Sequence, residues 1–273
     1  PLAFFDNPNI KRVILPDTIV TIGQGAFCNC DNLEYVYIPE SVVNINCQQG
    51  DIGIFQDCPL LVSAGQNGGD YNIEFEWKSN IPEYIFYNSS LKSVDIPAQI
   101  TEIGEGAFYD SSQLENVNIS QTIQSIGDHA FQNTPWFEKQ TEEYVILGTV
   151  LLKYNGAGGE ISIPAGITEI ADKAFYQYTT IESVSLPDSV IRIGEAAFEQ
   201  CKNMKAINLP AGLQEFGERA FAYCEALSHL TIPDGITKIP QSAFDCSGLQ
   251  SITLSKNIKI IEDFAFNYNI HLK

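Results

Sequence analysis

Apolar and polar residues alternate in short segments along this chain, and closely similar segments return about every 23 residues over much of its length. The clearest copies begin at Ile181, Met204 and Leu227 and follow, with small variations, the pattern L-x-x-V-x-I-P-x-x-I-x-x-I-G-x-x-A-F-x-x-C. A period of about 20–29 residues is typical of a solenoid, in which each coil buries its apolar side chains against neighbouring coils.

The first part of each copy predicts a β-strand with one buried face. In the copy that starts at Leu227, we expect Leu230 and Ile232 to point inward and His229 and Thr231 to point outward. The proline that follows ends the strand, because it has no N–H to donate to a neighbouring strand. The I-x-x-I-G segment then adds two inward side chains and a glycine at a bend, and the A-F pair fills the coil.

Phenylalanine marks the coils at a nearly constant interval, with longer gaps before Phe55, Phe86 and, longest of all, Phe175. Most of these phenylalanines follow an alanine, which favours close packing of a buried ladder over an exposed aromatic stripe for carbohydrate or nucleic acid. Its members are Phe4, Phe27, Phe55, Phe86, Phe108, Phe131, Phe175, Phe198, Phe221, Phe244 and Phe266.

The first departure from the period spans residues 46–81. It contains Tyr71, Phe75 and Trp77, and the alternation over residues 72–77 predicts an extra strand. Insertions in repeat proteins often lie on a binding face. A bulge without function is the alternative.

The second departure spans residues 135–159. Two short apolar segments, Tyr144–Leu147 and Val150–Tyr154, flank a Gly-Thr pair, which predicts a hairpin or a coil that lacks its A-F pair.

Two strings carry a family resemblance: LPDSVIRIGEAAFEQC from Leu186 and IPDGITKIPQSAFDC from Ile232. They resemble the BspA-like (treponemal-type) leucine-rich repeats of bacterial surface proteins, and the likeness covers nearly the whole chain. We therefore expect one leucine-rich-repeat domain over residues 1–273. Its fold would be a right-handed superhelical solenoid of the horseshoe or arc type. Its β-rich coils would contain short helical turns, in roughly eleven repeats of about 22–23 residues each, with two interruptions. The resemblance also implies a secreted or cell-surface protein that acts in adhesion.

Composition narrows the partner classes. The chain is 44% hydrophobic and has a net charge of −19 from 34 acidic and 15 basic residues. Nucleic acid and anionic membranes would be repelled, so we expect neither as a partner. We expect stacking to align the acids that follow I-G or its equivalent on one edge, as a solvated row or, less favoured, a calcium site: Glu105, Asp128, Asp172, Glu195 and Glu218.

The cysteines predict structure rather than chemistry. Cys30, Cys58, Cys201 and Cys224 each lie three residues after a coil phenylalanine, where a small hydrogen-bonding group suits a turn. We expect reduced, buried thiols and no disulfide framework. No sequence motif for a nucleophile, a metal or a cofactor stands out, so we predict a non-catalytic protein without a cofactor.

The outward side of the strand ladder is mostly small and polar, and only Arg12, Tyr35 and Tyr37 have the character of binding hot spots. We predict that these residues, with Tyr71, Phe75 and Trp77, contact a host or cell-surface protein, with a glycan as the second choice. A structural spacer that presents another domain and the non-catalytic part of a larger secreted enzyme are the alternatives. Because Pro1 falls inside a repeat, we expect a fragment of a longer extracellular or surface protein.

Overall fold

The computed structural model describes residues 1–39, 41–42, 44–46, 52–61, 63–65, 80–81, 83–89, 91–96, 98–120 and 122–273. It shows a β-solenoid of about nine turns with almost no helix, so the count is somewhat below the expected eleven repeats. The chain divides into two compact units, unit 1 at Pro1–Gln140 and unit 2 at Thr141–Lys273.

Unit 1 contains ten strands and one helix among its described residues. They are β1 (Arg12–Ile14), β2 (Thr21–Gly23), β3 (Tyr35–Tyr37), β4 (Asn44–Asn46), β5 (Ser63–Gly65), β6 (Asn80–Ile81), β7 (Ser93–Ile96), β8 (Glu102–Ile103), β9 (Asn116–Ile119), β10 (Ser125–Ile126) and α1 (Pro135–Glu138).

Unit 2 contains twelve strands. They are β11 (Tyr144–Leu147), β12 (Val150–Tyr154), β13 (Gly159–Ser162), β14 (Glu169–Ile170), β15 (Ile181–Ser185), β16 (Arg192–Ile193), β17 (Ala206–Asn208), β18 (Glu215–Phe216), β19 (His229–Thr231), β20 (Lys238–Ile239), β21 (Ser251–Thr253) and β22 (Ile260–Ile261).

The first strand of each coil lies where the alternating pattern predicts it. These strands pair in parallel with the equivalent strands of neighbouring coils, in the orders β1-β3-β5 and β7-β9 in unit 1 and β13-β15-β17 and β19-β21 in unit 2. Leu230 is buried between exposed His229 and Thr231. The predicted inward and outward faces are therefore confirmed for this strand.

The I-x-x-I-G segment forms a second short strand, which the sequence had indicated only as a bend. Arg192–Ile193 pairs in parallel with Glu169–Ile170 on one side and with Glu215–Phe216 on the other. A strand of two residues is too short to show an alternating pattern, so its hydrogen-bonding partners in adjacent coils define it.

The segment around each phenylalanine is a turn whose backbone alternates in handedness. Ala196 and Gln200, two residues before and after Phe198, have φ of 51° and 62°. A right-handed helix needs consecutive negative φ values, so the expected short helical turns do not form here. The turns instead bond to the next coil: the N–H of Phe198 donates to the carbonyl of Ala220 at 2.9 Å.

The phenylalanine ladder is the core of both units. Successive rings stack within each unit with centroids 4.9–5.8 Å apart and interplanar angles of at most 18°. The prediction of a buried ladder is confirmed for the inner members, since Phe27, Phe55, Phe108, Phe198 and Phe244 are at most 1% exposed.

Aromatic residues of the second predicted interruption pack on the ends of the phenylalanine stacks. In unit 1, Thr134 caps α1 by accepting the N–H of Phe137, and Trp136 packs on Phe131 with centroids 5.0 Å apart. In unit 2, β11 and β12 form an antiparallel hairpin, which is one of the two arrangements that the sequence predicted. Tyr154 at the end of β12 takes the place of the missing phenylalanine and packs on Phe175 at 5.2 Å.

The first predicted interruption is described in part. Ser63–Gly65 continues the sheet of β3 in regular register, with Tyr35 opposite Ser63 and Tyr37 opposite Gly65. The extra strand predicted over residues 72–77 lies outside the described residues.

Candidate functional site

The outward row of unit 2 is polar and engages its own neighbours. Ser185, His229, Thr231 and Ser251 are exposed, and Nδ1 of His229 lies 2.8 Å from the hydroxyl of Ser251 in the adjacent coil. Asn208 bonds back to Leu186: its Oδ1 accepts the backbone N–H and its Nδ2 donates to the carbonyl. This row offers small polar groups, and three of them, Asn208, His229 and Ser251, already have hydrogen-bonding partners within the solenoid.

The outward row of unit 1 begins with larger side chains. The register places Arg12 opposite Tyr35 and Ile14 opposite Tyr37. The guanidinium carbon of Arg12 lies 4.3 Å from the Tyr35 ring centroid, a cation–π contact. Arg12 is exposed and Ile14 is 65% exposed, whereas Val36 between the tyrosines is fully buried.

We call Arg12, Tyr35 and Tyr37 the strand patch. The structure brings these three predicted residues together on two paired strands. The other three predicted contact residues, Tyr71, Phe75 and Trp77, lie outside the described residues.

A ladder of small hydrogen-bonding groups lies beside the phenylalanines, as the sequence predicted. The thiols of Cys30, Cys58, Cys201 and Cys224 donate to the carbonyl of the phenylalanine one coil earlier, at 2.9–3.2 Å. Ser111 makes the same bond to the carbonyl of Phe86 at 2.8 Å. The six described cysteines are free, five of them buried, and Cys47 lies outside the described residues.

Burial makes these thiols poor nucleophiles. Desolvation raises the pKa of Cys28 to about 11 and the pKa values of Cys58 and Cys201 to about 12, so all three are protonated at neutral pH. Because the folded pKa values lie above those of the unfolded thiols, unfolding releases protons at alkaline pH. The free energy of unfolding therefore falls as the pH rises from about 9 toward 12.

We expect the native thiols to react slowly with a disulfide reagent at pH 8 and rapidly in denaturant. The measurement is thiol titration in a Cys47→Ser background, so that only described cysteines are counted. The partly exposed Cys246 serves as the internal control and should react first. Fast native labelling of Cys201 or Cys224, mapped by peptide mass, would contradict the buried hydrogen-bonded ladder.

In unit 2, a hydrogen bond between neighbouring coils positions two members of the acidic row. Oδ1 of Asp172 accepts the backbone N–H of Glu195 at 2.7 Å. Arg219, which adjoins Glu218 in sequence, pairs instead with the buried carboxylate of Glu199 and lies 5.9 Å from the ring centroid of Tyr223. The guanidinium is thus held between a carboxylate and an aromatic ring.

A shallow groove of about 440 Å³ lies on the second-strand face of unit 2. Arg192 and Lys238 line it, but Arg192 pairs with Glu169 at 2.5 Å and Glu215 at 3.1 Å, and Lys238 pairs with Glu262 at 3.1 Å. Its two cations are already neutralised, so the groove has no spare positive charge for an anionic ligand.

Sequence reasoning missed an aromatic surface on the turns of unit 1. Tyr87 and Tyr109, each directly after a ladder phenylalanine, stack at 5.5 Å, and Tyr84 meets Tyr87 edge-on at 6.2 Å. We call these three residues the tyrosine face, and all are partly exposed. The available signal was the repeated F-Y pair at Phe86 and Phe108.

Carboxylates surround the tyrosine face. The hydroxyl of Tyr84 donates to Glu105, and Asp57 and Asp110 lie close enough to Tyr87 to raise the pKa of its hydroxyl, after burial as the largest cause. The same carboxylates accept amide hydrogen bonds: Asp57 from Asn88 at 3.1 Å and Asp110 from Asn133 at 2.7 Å.

The chain belongs to the BspA-type leucine-rich-repeat family. The family's sequence profile matches residues 2–62, 79–177 and 168–273, in six copies. This is a family of protein-interaction or surface modules, whose members are generally non-catalytic. No curated protein matches the chain.

The chain is also similar to solved structures of three bacterial leucine-rich-repeat proteins. A leucine-rich-repeat protein of T. pallidum is 33% identical over 45% of this chain, with a TM-score of 0.44, and this chain spans 60% of its length. A leucine-rich cell-surface protein of Faecalibacterium prausnitzii is 25% identical over 97% of this chain and 78% of its own, with a TM-score of 0.48. A leucine-rich-repeat protein of Eubacterium ventriosum is 23% identical over 100% of this chain and 68% of its own, with a TM-score of 0.50.

No helix in the described part of the chain has the length and apolar character needed to cross a membrane.

Proposed function

We propose that this protein is a non-catalytic binding or adhesion module of a bacterial cell-surface or secreted protein. In this proposal it contacts a partner protein through the strand patch. The partner is a host or cell-surface protein, with a glycan as the second choice.

The cation–π contact of Arg12 with Tyr35 carries this proposal. It fixes two long side chains on a rigid pair of strands, which reduces the entropy lost when a partner binds. Exposed Ile14 adds apolar area beside Tyr37. Tyrosine and arginine are the residue types that dominate binding energy in protein interfaces. The polar outward row of unit 2 has no comparable anchor among the residues named above.

The test is a binding screen of the purified chain against matrix and cell-surface proteins, by biolayer interferometry. We expect a partner whose affinity falls about tenfold or more when Tyr35 and Tyr37 are both replaced by alanine, since hot-spot truncations typically have effects of this size. The matched control is Ser183→Ala with Ser185→Ala, at the equivalent outward positions of β15.

Two results would count against the strand patch. Undiminished binding by the tyrosine double variant would show that the partner contacts another part of the chain. Binding to none of the proteins or glycans would favour a structural spacer. Hydrolytic activity of a longer protein that contains this chain would support the third interpretation, a non-catalytic part of a secreted enzyme.

A further inference from the structure

Net charge is distributed unequally between the two units, because unit 1 has half as many basic residues as unit 2. Residues 1–140 contain 18 acidic and 5 basic residues, whereas residues 141–273 contain 16 acidic and 10 basic residues. Between side chains that are both described, unit 2 forms seven ion pairs, and unit 1 forms one, between Lys139 and Glu115. Unit 1 therefore has the larger uncompensated negative charge.

Part of that charge surrounds the tyrosine face. Asp57, Glu105 and Asp110 accept hydrogen bonds from neutral donors, and none of them forms an ion pair with a described cation. They lie beside partly buried rings, where a charge is less screened than in open water. Such a surface attracts a cation that also tolerates apolar contact.

Unit 2 contains an example of a cation bound by a carboxylate and an aromatic ring, the side chain of Arg219. Arg219 reaches the buried carboxylate of Glu199, which directly follows Phe198, and its guanidinium lies near the ring of Tyr223. On the corresponding turns of unit 1, Tyr87 and Tyr109 directly follow the ladder phenylalanines, and the carboxylates of Asp57 and Asp110 lie two residues after a ladder phenylalanine.

We propose that the tyrosine face, with Asp57, Glu105 and Asp110, is a second interaction surface that binds arginine side chains of a basic segment in a partner protein. A guanidinium fits because it is planar, weakly hydrated, able to pack on aromatic rings and able to donate two parallel hydrogen bonds to a carboxylate. Charge complementarity selects this occupant over a neutral or acidic segment. This surface differs from the strand patch in its residues and in the coil segment that carries it.

The experiment measures binding of a capped peptide of alternating glycine and arginine to the whole chain, by isothermal titration calorimetry at low salt. We expect saturable binding that weakens as salt is added. The matched peptide with citrulline in place of arginine keeps the shape and removes the charge, and it should not bind.

Two variants test the surface itself. Asp57→Asn with Asp110→Asn keeps both side-chain shapes, tolerates the left-handed backbone at these positions and should weaken binding about tenfold. Tyr109→Leu keeps apolar volume without the ring and should also weaken it several-fold. Glu102→Gln removes one exposed charge on β8 of the same unit and should leave the affinity unchanged.

Each contrary outcome overturns the proposal. No binding, or equal binding of the citrulline peptide, would show that the charge is not recognised. An equal loss in Glu102→Gln would show diffuse attraction to an acidic chain. Binding of a neutral oligosaccharide that depends on the same residues would assign the surface to glycans. Because Tyr35 and Tyr37 are intact in all these variants, failure here does not bear on the strand patch.

Discussion

Replacing Phe198 by alanine should destabilise unit 2 by about 3–5 kcal/mol. The ring is fully buried and stacks on Phe175 at 4.9 Å and on Phe221 at 5.7 Å. Truncation leaves a cavity between two coils and removes both stacking contacts, and each coil contacts mainly its neighbours, so the loss is not shared widely. Urea unfolding followed by circular dichroism measures the change.

Tyr268→Ala is the control for that measurement, because this side chain is 73% exposed and its truncation should change the free energy of unfolding by less than about 1 kcal/mol. Phe108→Ala should reproduce the large effect in unit 1. A Phe198 variant no less stable than the Tyr268 variant would contradict an aromatic core that stabilises the coils.

Gly217→Ala should cost about 1–3 kcal/mol by crowding two neighbouring coils. A methyl group at this position would lie 2.5 Å from the backbone nitrogen of Glu195 and 2.6 Å from its Cα. Those atoms belong to the backbone of the previous coil, so the clash can be relieved only by moving the coils apart. Thermal unfolding of the whole chain, followed by circular dichroism, measures this loss of stability.

Gly212→Ala is the matched control for crowding. Its new methyl group would have one neighbouring heavy atom within 4 Å, the carbonyl oxygen of Asp188 at 3.6 Å. We expect a neutral effect or a gain of about 0.4–1 kcal/mol, since alanine restricts the unfolded chain more than glycine. Equal destabilisation by the two variants would mean that coil spacing does not require glycine at position 217.

The sequence predicted the position of the glycine in the I-G pair but not the reason for it. The pattern indicated a bend at this residue, but Gly194 and Gly217 do not adopt the left-handed conformation. Each is glycine because the backbone of the coil before it passes too close for a side chain. That distance exists only after the coils stack, so no local pattern in one coil could give it.

The residue types in the turns beside the phenylalanines are also explained only by the structure. Six residues at the left-handed position two after the phenylalanine in unit 1 are aspartate or asparagine, which tolerate this conformation better than other side chains. The repeat of aspartate and asparagine is visible in the sequence, but the reason for it, a left-handed backbone, is known only from the backbone angles. They are Asp6, Asn29, Asp57, Asn88, Asp110 and Asn133.

By itself the sequence determined the solenoid, the inward face of its strands, the buried phenylalanine ladder and the hydrogen-bonding role of the cysteines. These features repeat with the period, and each depends on neighbours within one or two coils. The tertiary structure decided which polar and aromatic groups share a surface. Stacking brings Tyr87 and Tyr109, which belong to successive coils, to a ring distance of 5.5 Å. It also pairs Arg12 with Tyr35 and places Glu105, Asp57 and Asp110 beside the tyrosine face.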